Sequence, residues 1–542
     1  MAWCFGTGLL IVFSALLIST ARQKSLVFDE IVYAPIGYLE WKTGDLRWNS
    51  EHPPLQKLAS SLFWTRQKIN IPSDLDPLKD DPYRVGFGLF FSDLSKSLKL
   101  IFLSRLPTII LSSFLALFLF IFAKSILGPK AALISLGVLV LDPLVIANGC
   151  LALNDMFVTV FFFAAAAVSW NNHNNRRWLV VVSGTLAGLA IGSKLSGLLV
   201  IPVCLLISTI RNKPSFRQAT ENFCLLVLLC FVTLLLLYRF NTDLIFEAFH
   251  KTKHLNQGIV NHGFLLKSFS GYIAWFYYPV ALLIKTPLAL LAFWLFSFTV
   301  LIRRRHESIS LVPALIAIAF VFGAAMLTRN HFGLRYILPA IPFLALSVGE
   351  AFSFLKKRNE KIIWIFLLCW LGYETVTTHP DHMAYFNQLV GGSEQGYKWL
   401  DGSNQDWGQD LPALAQFLEK ENQPALYLSY FGSNDPAAWG IEYQDVFSPA
   451  LISGVRSPHL NQPNVSHEFF AVSARLMADP QFEELFGWLK KNRKPQEFLG
   501  STLFIYDFSN DREAIQWVGL IYQMQGRSDF ENRQKDRLKA LS

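Results

Sequence analysis

Apolar runs of membrane-crossing length recur from the N-terminus to residue 378, and a water-soluble fold has no core large enough to bury so many of them. A hydrocarbon core about 30 Å thick takes roughly 17 to 25 residues as a helix. Runs that meet or approach this length lie near 3–20, 100–123, 131–148, 154–170, 178–192, 195–210, 221–238, 286–302, 310–327, 336–353 and 361–378, which predicts about eleven membrane helices. Lys194 and the Lys285-Thr286-Pro287 stretch interrupt the pattern. Composition agrees: 52% of the 542 residues are hydrophobic, 16% are charged and 47 are Phe, membrane composition diluted by a soluble part. The net charge of +8 is spread in short clusters between the runs, without the single basic stripe that nucleic-acid binding needs. Six cysteines lie in or beside apolar runs with no CxxC pair, and read as small helix residues. The first run has no basic segment before it and no clear small-x-small site after it, so it reads as an uncleaved helix in preference to a signal peptide.

Cytoplasmic loops collect Lys and Arg. With a cytoplasmic N-terminus, one set of short loops carries Lys124 and Lys130, Arg176 and Arg177, Arg211, Lys213 and Arg217, Arg303 to Arg305, and Lys356, Lys357, Arg358 and Lys361. The opposite short loops carry Lys194, Arg329 and Arg335. This asymmetry places the long loops 21–99 and 239–271 outside. The polar chain from 379 to 542 is then extracytoplasmic as well. Its short runs ALYLSYF (425–431), HEFFAVSA (467–474) and TLFIYDF (502–508) read as strands, and the amphipathic stretches near 409–420, 479–491 and 511–524 as helices, an α/β domain.

The chemistry-bearing residues gather on the outer side. Asp29 and Glu30 directly follow the first helix, where helix-terminal N–H groups favour anions, although N-terminal capping alone accounts for such a pair equally well. SEHPPLQK (50–57) offers Glu51, His52 and Lys57 around a Pro53-Pro54 turn that fixes their direction. Arg105, in SRLPT, reads either as an interfacial snorkelling side chain or as a guanidinium fork for a phosphate at headgroup level. Asp142 precedes Pro143 and reads as a cap, whereas Asp155 is an acid at a membrane helix end with no such role. Lys194, Lys285, Arg335 and Tyr336 fall on the same side. Carboxylates, cations and surrounding apolar helices are what transfer from a polyprenyl-phosphate sugar requires: a base for an acceptor hydroxyl, positive charge for a departing lipid phosphate, and a place for the lipid tail. His250 and His254, at i, i+4, read as a solvated interfacial helix before a zinc site, and a divalent metal stays open with Glu51, His52 and His254 as its candidate ligands. For SNQDWGQDL (403–411) a loop and helix start with Trp407 packed on its domain is favoured over acceptor recognition.

FDE (28–30) with Tyr33, EHPPLQK, SRLPT, ALND (152–155), GSKLSG (192–197), LIKTPL (283–288) and GLRYILPAIP (333–342) together resemble glycosyltransferase family 39, the protein O-mannosyltransferase and lipid A aminoarabinose transferase superfamily. YFNQLVGG and GYKWLDGSNQDWGQDL (385–411) are similar to bacterial members with an extracytoplasmic C-terminal domain. The resemblance implies a GT-C membrane fold over residues 1–378, an α/β domain over 379–542, and a site in an integral protein of the inner membrane. It implies Asp29 as base with Glu30 beside it and Asp155 as a supporting acid. Arg105 and Arg335, joined by Lys57, Lys194 and Lys285, would meet the donor phosphate, and Glu51, His52, Tyr33 and Tyr336 would shape the site. The implied partners are a polyprenyl-phosphate sugar, membrane lipid and a hydroxyl-bearing protein, lipid or glycan. Loop 239–271 is too short for the sugar-binding-type insert of eukaryotic protein mannosyltransferases, so protein O-mannosylation does not follow. A transporter or lipid flippase is the rival of a different class: it predicts broken helices and charge along a path, not at one face. A transfer-dead scaffold of the same fold is the third reading.

Overall fold

The computed structural model describes residues 1–171, 176–258, 274–328, 331, 333–400, 402–450 and 467–540; side chains are not described for 254–258 and 274–275. In chain order, α1 (Ala2–Gln23) leads into a segment holding α2 (Glu30–Thr43), α3 (Pro54–Ser60) and α4 (Pro82–Phe91). Next come α5 (Leu94–Leu127), α6 (Pro129–Val140), α7 (Pro143–Gly149), α8 (Asn154–Trp170) and α9 (Arg177–Ser193).

Among the described residues, five helices are long and apolar enough to cross a membrane: α1, α5, Leu195–Asn212, Phe216–Leu237 and Leu334–Ser353. The number becomes seven if each of two bent pairs is one span: α6 with α7, turned by 65°, and Phe276–Lys285 with Leu288–Arg303, turned by 118°. Shorter apolar helices, α8, α9 and Leu311–Leu327, lie where the sequence places further spans. The run 131–148, read as one span, is broken between α6 and α7, and the Lys285-Thr286-Pro287 interruption is where the second pair turns. Asp142 caps α7, accepting from the Leu144 N–H at 2.9 Å, and Pro143 starts that helix because it has no N–H to lose. Pro287 does the same before Leu288–Arg303. The helix Ala274–Lys285 falls outside the spans read from the sequence.

Helix α8 is the bundle's axis: nearly every residue in it is buried, which suits a helix that is apolar all round. The helices of the segment between α1 and α5 pack on one another by close backbone contact. A Cβ on Gly37 of α2 would lie 2.0 Å from the Lys57 carbonyl oxygen of α3, and one on Gly86 of α4 would lie 2.0 Å from that of Ile31, so glycine alone lets these helices meet.

Beyond Arg358–Thr378 the chain turns polar, as its sequence indicates, yet Phe386, Val390, Leu400 and Trp407 still belong to the apolar cluster of the bundle. A five-stranded sheet follows, with β1 (Ala425–Ser429), β2 (Gln444–Asp445), β3 (Glu468–Ser473), β4 (Glu497–Leu499) and β5 (Leu503–Asp507) in the order β2-β1-β3-β5-β4. Strand β1 is parallel to β2 and β3, and β5 is antiparallel to β3 and β4. Alternate residues feed two cores: Leu426, Leu428 and Ile505 pack with helix Leu411–Lys420, and Tyr427, Phe470 and Tyr506 with helix Arg512–Met524. All three strands read from the sequence are present, with β2 and β4 added.

A methyl group on Gly37 has to push against backbone, so Gly37→Ala is expected to destabilise the protein by about 1–3 kcal/mol. Thermal unfolding in detergent checks this against Gly8→Ala, whose added Cβ meets nothing within 4 Å.

Candidate active site

The site is built on the extended stretch between α1 and α2. Ser25 N–H donates to the Gln409 carbonyl at 2.9 Å and Phe28 N–H to that of Trp407 at 3.0 Å, so residues 25–28 lie along 407–409 with backbone bonds at both ends. Asn434 reads the backbone of Leu26 in both directions, at 3.0 and 2.8 Å, and Ser433 Oγ donates to the Phe28 carbonyl at 3.0 Å. Lys24 pairs with Asp381 and Asp410. Burial pushes the Asp406 carboxyl up to about 7, and it accepts from the N–H groups of Gly408 and Arg475.

Glu30 and Arg105 form a wholly buried pair, with guanidinium to carboxylate distances of 2.9 and 2.5 Å. Glu30 also accepts from Val27 N–H at 2.9 Å and Ala152 N–H at 2.7 Å. The other Arg105 donors reach the carbonyls of Ala21, Lys24 and Ser25 at 2.7–2.8 Å. All five N–H groups of the fork are thereby engaged inside the protein. The resemblance implies a lipid phosphate for this fork; in the structure Arg105 holds the chain that carries Asp29. Lys57 is likewise buried, paired with Glu40 at 2.5 Å and donating to the Trp48 and Asn49 carbonyls at 2.9 and 3.3 Å. Lys285 donates to the carbonyls of Met383 and Asn404, fixing the post-membrane chain to the bundle. These three cations satisfy buried acceptors before any ligand arrives, a demand that the sequence does not display.

The remaining candidates do converge. Asp29, at the N-terminus of α2, lies 3.4 Å from Arg335 Nη1, and the same nitrogen is 3.4 Å from Asp155 in the first turn of α8. Lys194, which ends α9, is 2.6 Å from the other Asp155 oxygen and stands over the Tyr336 ring at 4.1 Å. Acid and cation alternate: Asp29, Arg335, Asp155, Lys194. The Asp155 carboxylate is 2% exposed and serves both cations, whereas Asp29 is 25% exposed and open to a reactant. Burial pushes the Asp29 carboxyl above the ordinary range, Arg335 opposes that rise and Asp155 adds to it. His52 packs on Tyr33 with ring centroids 5.4 Å apart. Burial, then Lys57, Lys194 and Arg335, push its imidazole down to about 3, so it is neutral at physiological pH. Glu51 accepts from Asn49 Nδ2 at 2.5 Å, and its carbonyl from Thr252 at 3.1 Å.

Among the described residues no group of three or more His, Cys, Asp or Glu is arranged to hold a metal ion; the His254 side chain lies outside them. The sequence reads Trp407 as packing on its own domain and misses its partner: the ring joins the apolar cluster of the bundle and faces the Arg335 guanidinium at 4.3 Å. A Trp among amides and acids, with no apolar periodicity around it, was the available signal.

Residues 89–238 match the family model described as dolichyl-phosphate-mannose-protein mannosyltransferase. By structure the chain is similar to ArnT from Cupriavidus metallidurans bound to undecaprenyl phosphate, with 14% identity, 92% of this chain and 97% of that one covered, and a TM-score of 0.50. The same protein in its apo state gives 14% identity, 92% and 98% coverage and a TM-score of 0.47. The archaeal oligosaccharyltransferase AglB from Archaeoglobus fulgidus, in complex with an inhibitory peptide and a dolichol-phosphate, gives 11%, 89% and 72%, and 0.41. No protein of curated function matches the chain. The fold is that of a GT-C membrane protein. Within it, the family match runs from the end of α4 to Tyr238.

Removing one member of a buried pair strands the other charge, at a cost of about 3–5 kcal/mol. Arg105→Ala is therefore expected to lower the thermal unfolding temperature sharply in detergent. A variant that unfolds like the wild type and only weakens donor binding would return Arg105 to the phosphate.

Proposed function

We propose that this protein transfers a sugar from a polyprenyl-phosphate carrier to a hydroxyl of a protein, lipid or glycan at the extracytoplasmic face of the inner membrane. The observation that carries the reading is the alternating line Asp29, Arg335, Asp155, Lys194, which offers one accessible carboxylate beside two cations. The family match and the ArnT structure with undecaprenyl phosphate support the donor class, and the loop-charge asymmetry supports the orientation.

In this reading Asp29 takes the proton of the acceptor hydroxyl as its oxygen bonds to the anomeric carbon. The bond from that carbon to the phosphate oxygen breaks, and its electron pair leaves with the polyprenyl phosphate. Arg335 and Lys194 face the charge that develops there. Asp155 holds the two cations in place, and neutral His52 with Tyr33 walls the site beside Glu51. A single displacement without a protein nucleophile inverts the anomeric configuration. Arg335 has a second role: it opposes the rise that burial imposes on the Asp29 carboxyl.

Donor consumption in proteoliposomes, with a radiolabelled panel of undecaprenyl- and dolichyl-phosphate hexoses and pentoses, tests the proposal. The wild type consumes one donor, and Asp29→Asn, checked for folding, lowers kcat by about 10²- to 10⁴-fold. An Asp29→Asn protein as active as the wild type sinks the assignment. The base works ionised, so the rate is steady above its raised pKa and falls as pH drops through it. The acid limb is therefore expected above the ordinary aspartate value of about 3.9.

A further inference from the structure

We propose that the segment 403–410 of the C-terminal region is a working part of the transfer site, with Trp407 and Asn404 as positioning residues that aim Arg335. The inference rests on the transfer reading above and adds a determinant from outside the membrane bundle.

From this segment one contact reaches the Arg335 guanidinium and another holds the backbone of the residue before it. The Trp407 ring faces its guanidinium at 4.3 Å and is itself 5% exposed, held in the bundle's apolar cluster. The Trp407 backbone is fixed on both sides: its N–H donates to Gln409 Oε1 at 2.8 Å, and its carbonyl accepts from Phe28 N–H at 3.0 Å. One residue before Arg335, Leu334 N–H donates to Asn404 Oδ1 at 3.2 Å. The turn below is shaped to admit that amide: Gly333 has φ 93°, and a Cβ there would lie 2.8 Å from Ser403 Oγ and 2.9 Å from Asn404 Oδ1. Asn404 Nδ2 in turn donates to Tyr277 at 2.8 Å, and its carbonyl accepts from Lys285. Backbone and guanidinium of the Gly333–Arg335 turn are thus gripped by one short stretch.

The carboxylates hold the guanidinium loosely by comparison. Its contacts with Asp29 and Asp155 are 3.4–3.5 Å, long for charge-assisted hydrogen bonds. A flat indole against a flat guanidinium fixes a plane for it, and a buried cation–π contact adds to that. The same segment carries the backbone bonds to residues 25–28, immediately before Asp29. One stretch of chain therefore sets the distance between the base and the cation opposite it.

The test uses the full chain with Trp407→Leu and Trp407→Phe in proteoliposomes, given the donor that the wild type consumes from the panel above. Trp407→Leu is expected to lower kcat by about three- to thirtyfold, more than it changes KM, and Trp407→Phe to restore most of it. Asp29 faces Arg335, Asp155, Lys194, Tyr33 and Tyr83. With Arg335 no longer held against it, the acid limb in Trp407→Leu moves to higher pH. A second readout needs no turnover: phenylglyoxal labelling of Arg335, read by peptide mass spectrometry, rises severalfold in Trp407→Leu and not in Trp407→Phe. Buried Arg105 stays unlabelled in each, as the control for folding. Unchanged Arg335 labelling in Trp407→Leu overturns the inference whatever the activity. A wild type that consumes no donor overturns the transfer reading instead, and the labelling still decides the role of Trp407.

Discussion

The ion pair between Glu30 and Arg105 is the contact on which the rest of the site hangs. It joins α2 to α5, and Glu30 reaches the Ala152 N–H on the connection that leads into α8. Arg105 closes the three carbonyls left open where α1 ends. Neighbouring acids in the chain thereby do opposite things. Glu30 points inward and is wholly consumed by structure, which leaves Asp29 at the helix start with its carboxylate outward. A pair so buried is weak as a source of net stability but strong as a specifier of geometry, because every alternative leaves a charge stranded.

Much of the membrane part could be read along the chain because the hydrocarbon core demands length and apolarity at once, and both are visible residue by residue. Breaks could be read too, since Asp142-Pro143 and Thr286-Pro287 announce helix starts by their chemistry. The helix Ala274–Lys285 escaped, being short and rich in aromatics that carry no clear periodicity. In the soluble part the three longer strands alternate strongly enough to be seen, whereas β2 has two residues and β4 three, too few for any pattern.

Within the site, residue types were legible and partners were not. Asp155 stands out because an acid at a membrane helix end is costly and demands a reason, Asp29 because it opens a helix beside a second acid, and Lys194 and Arg335 because they fall on the same side. Arg105, Lys57 and Lys285 fall on that side too, and in those cases the partner is an internal acceptor. Nothing in a linear sequence says whether a cation meets a carbonyl of its own chain or a ligand. Trp407 lay beyond reach for a related reason: its ring meets Arg335 only once the fold has brought the two together.

The ion pair between Lys24 and Asp410 spans 386 residues of chain. At about 5–20 residues per second of synthesis, the ribosome delivers the second partner roughly 20 to 80 seconds after the first. For that whole interval the stretch before Asp29 has no partner segment to lie along, and Arg335, once made, waits a further 72 residues for the indole it rests on. On the proposed reading, a chain stalled or cut before residue 403 has its acids and cations in place but lacks the segment that aims them, and transfers nothing.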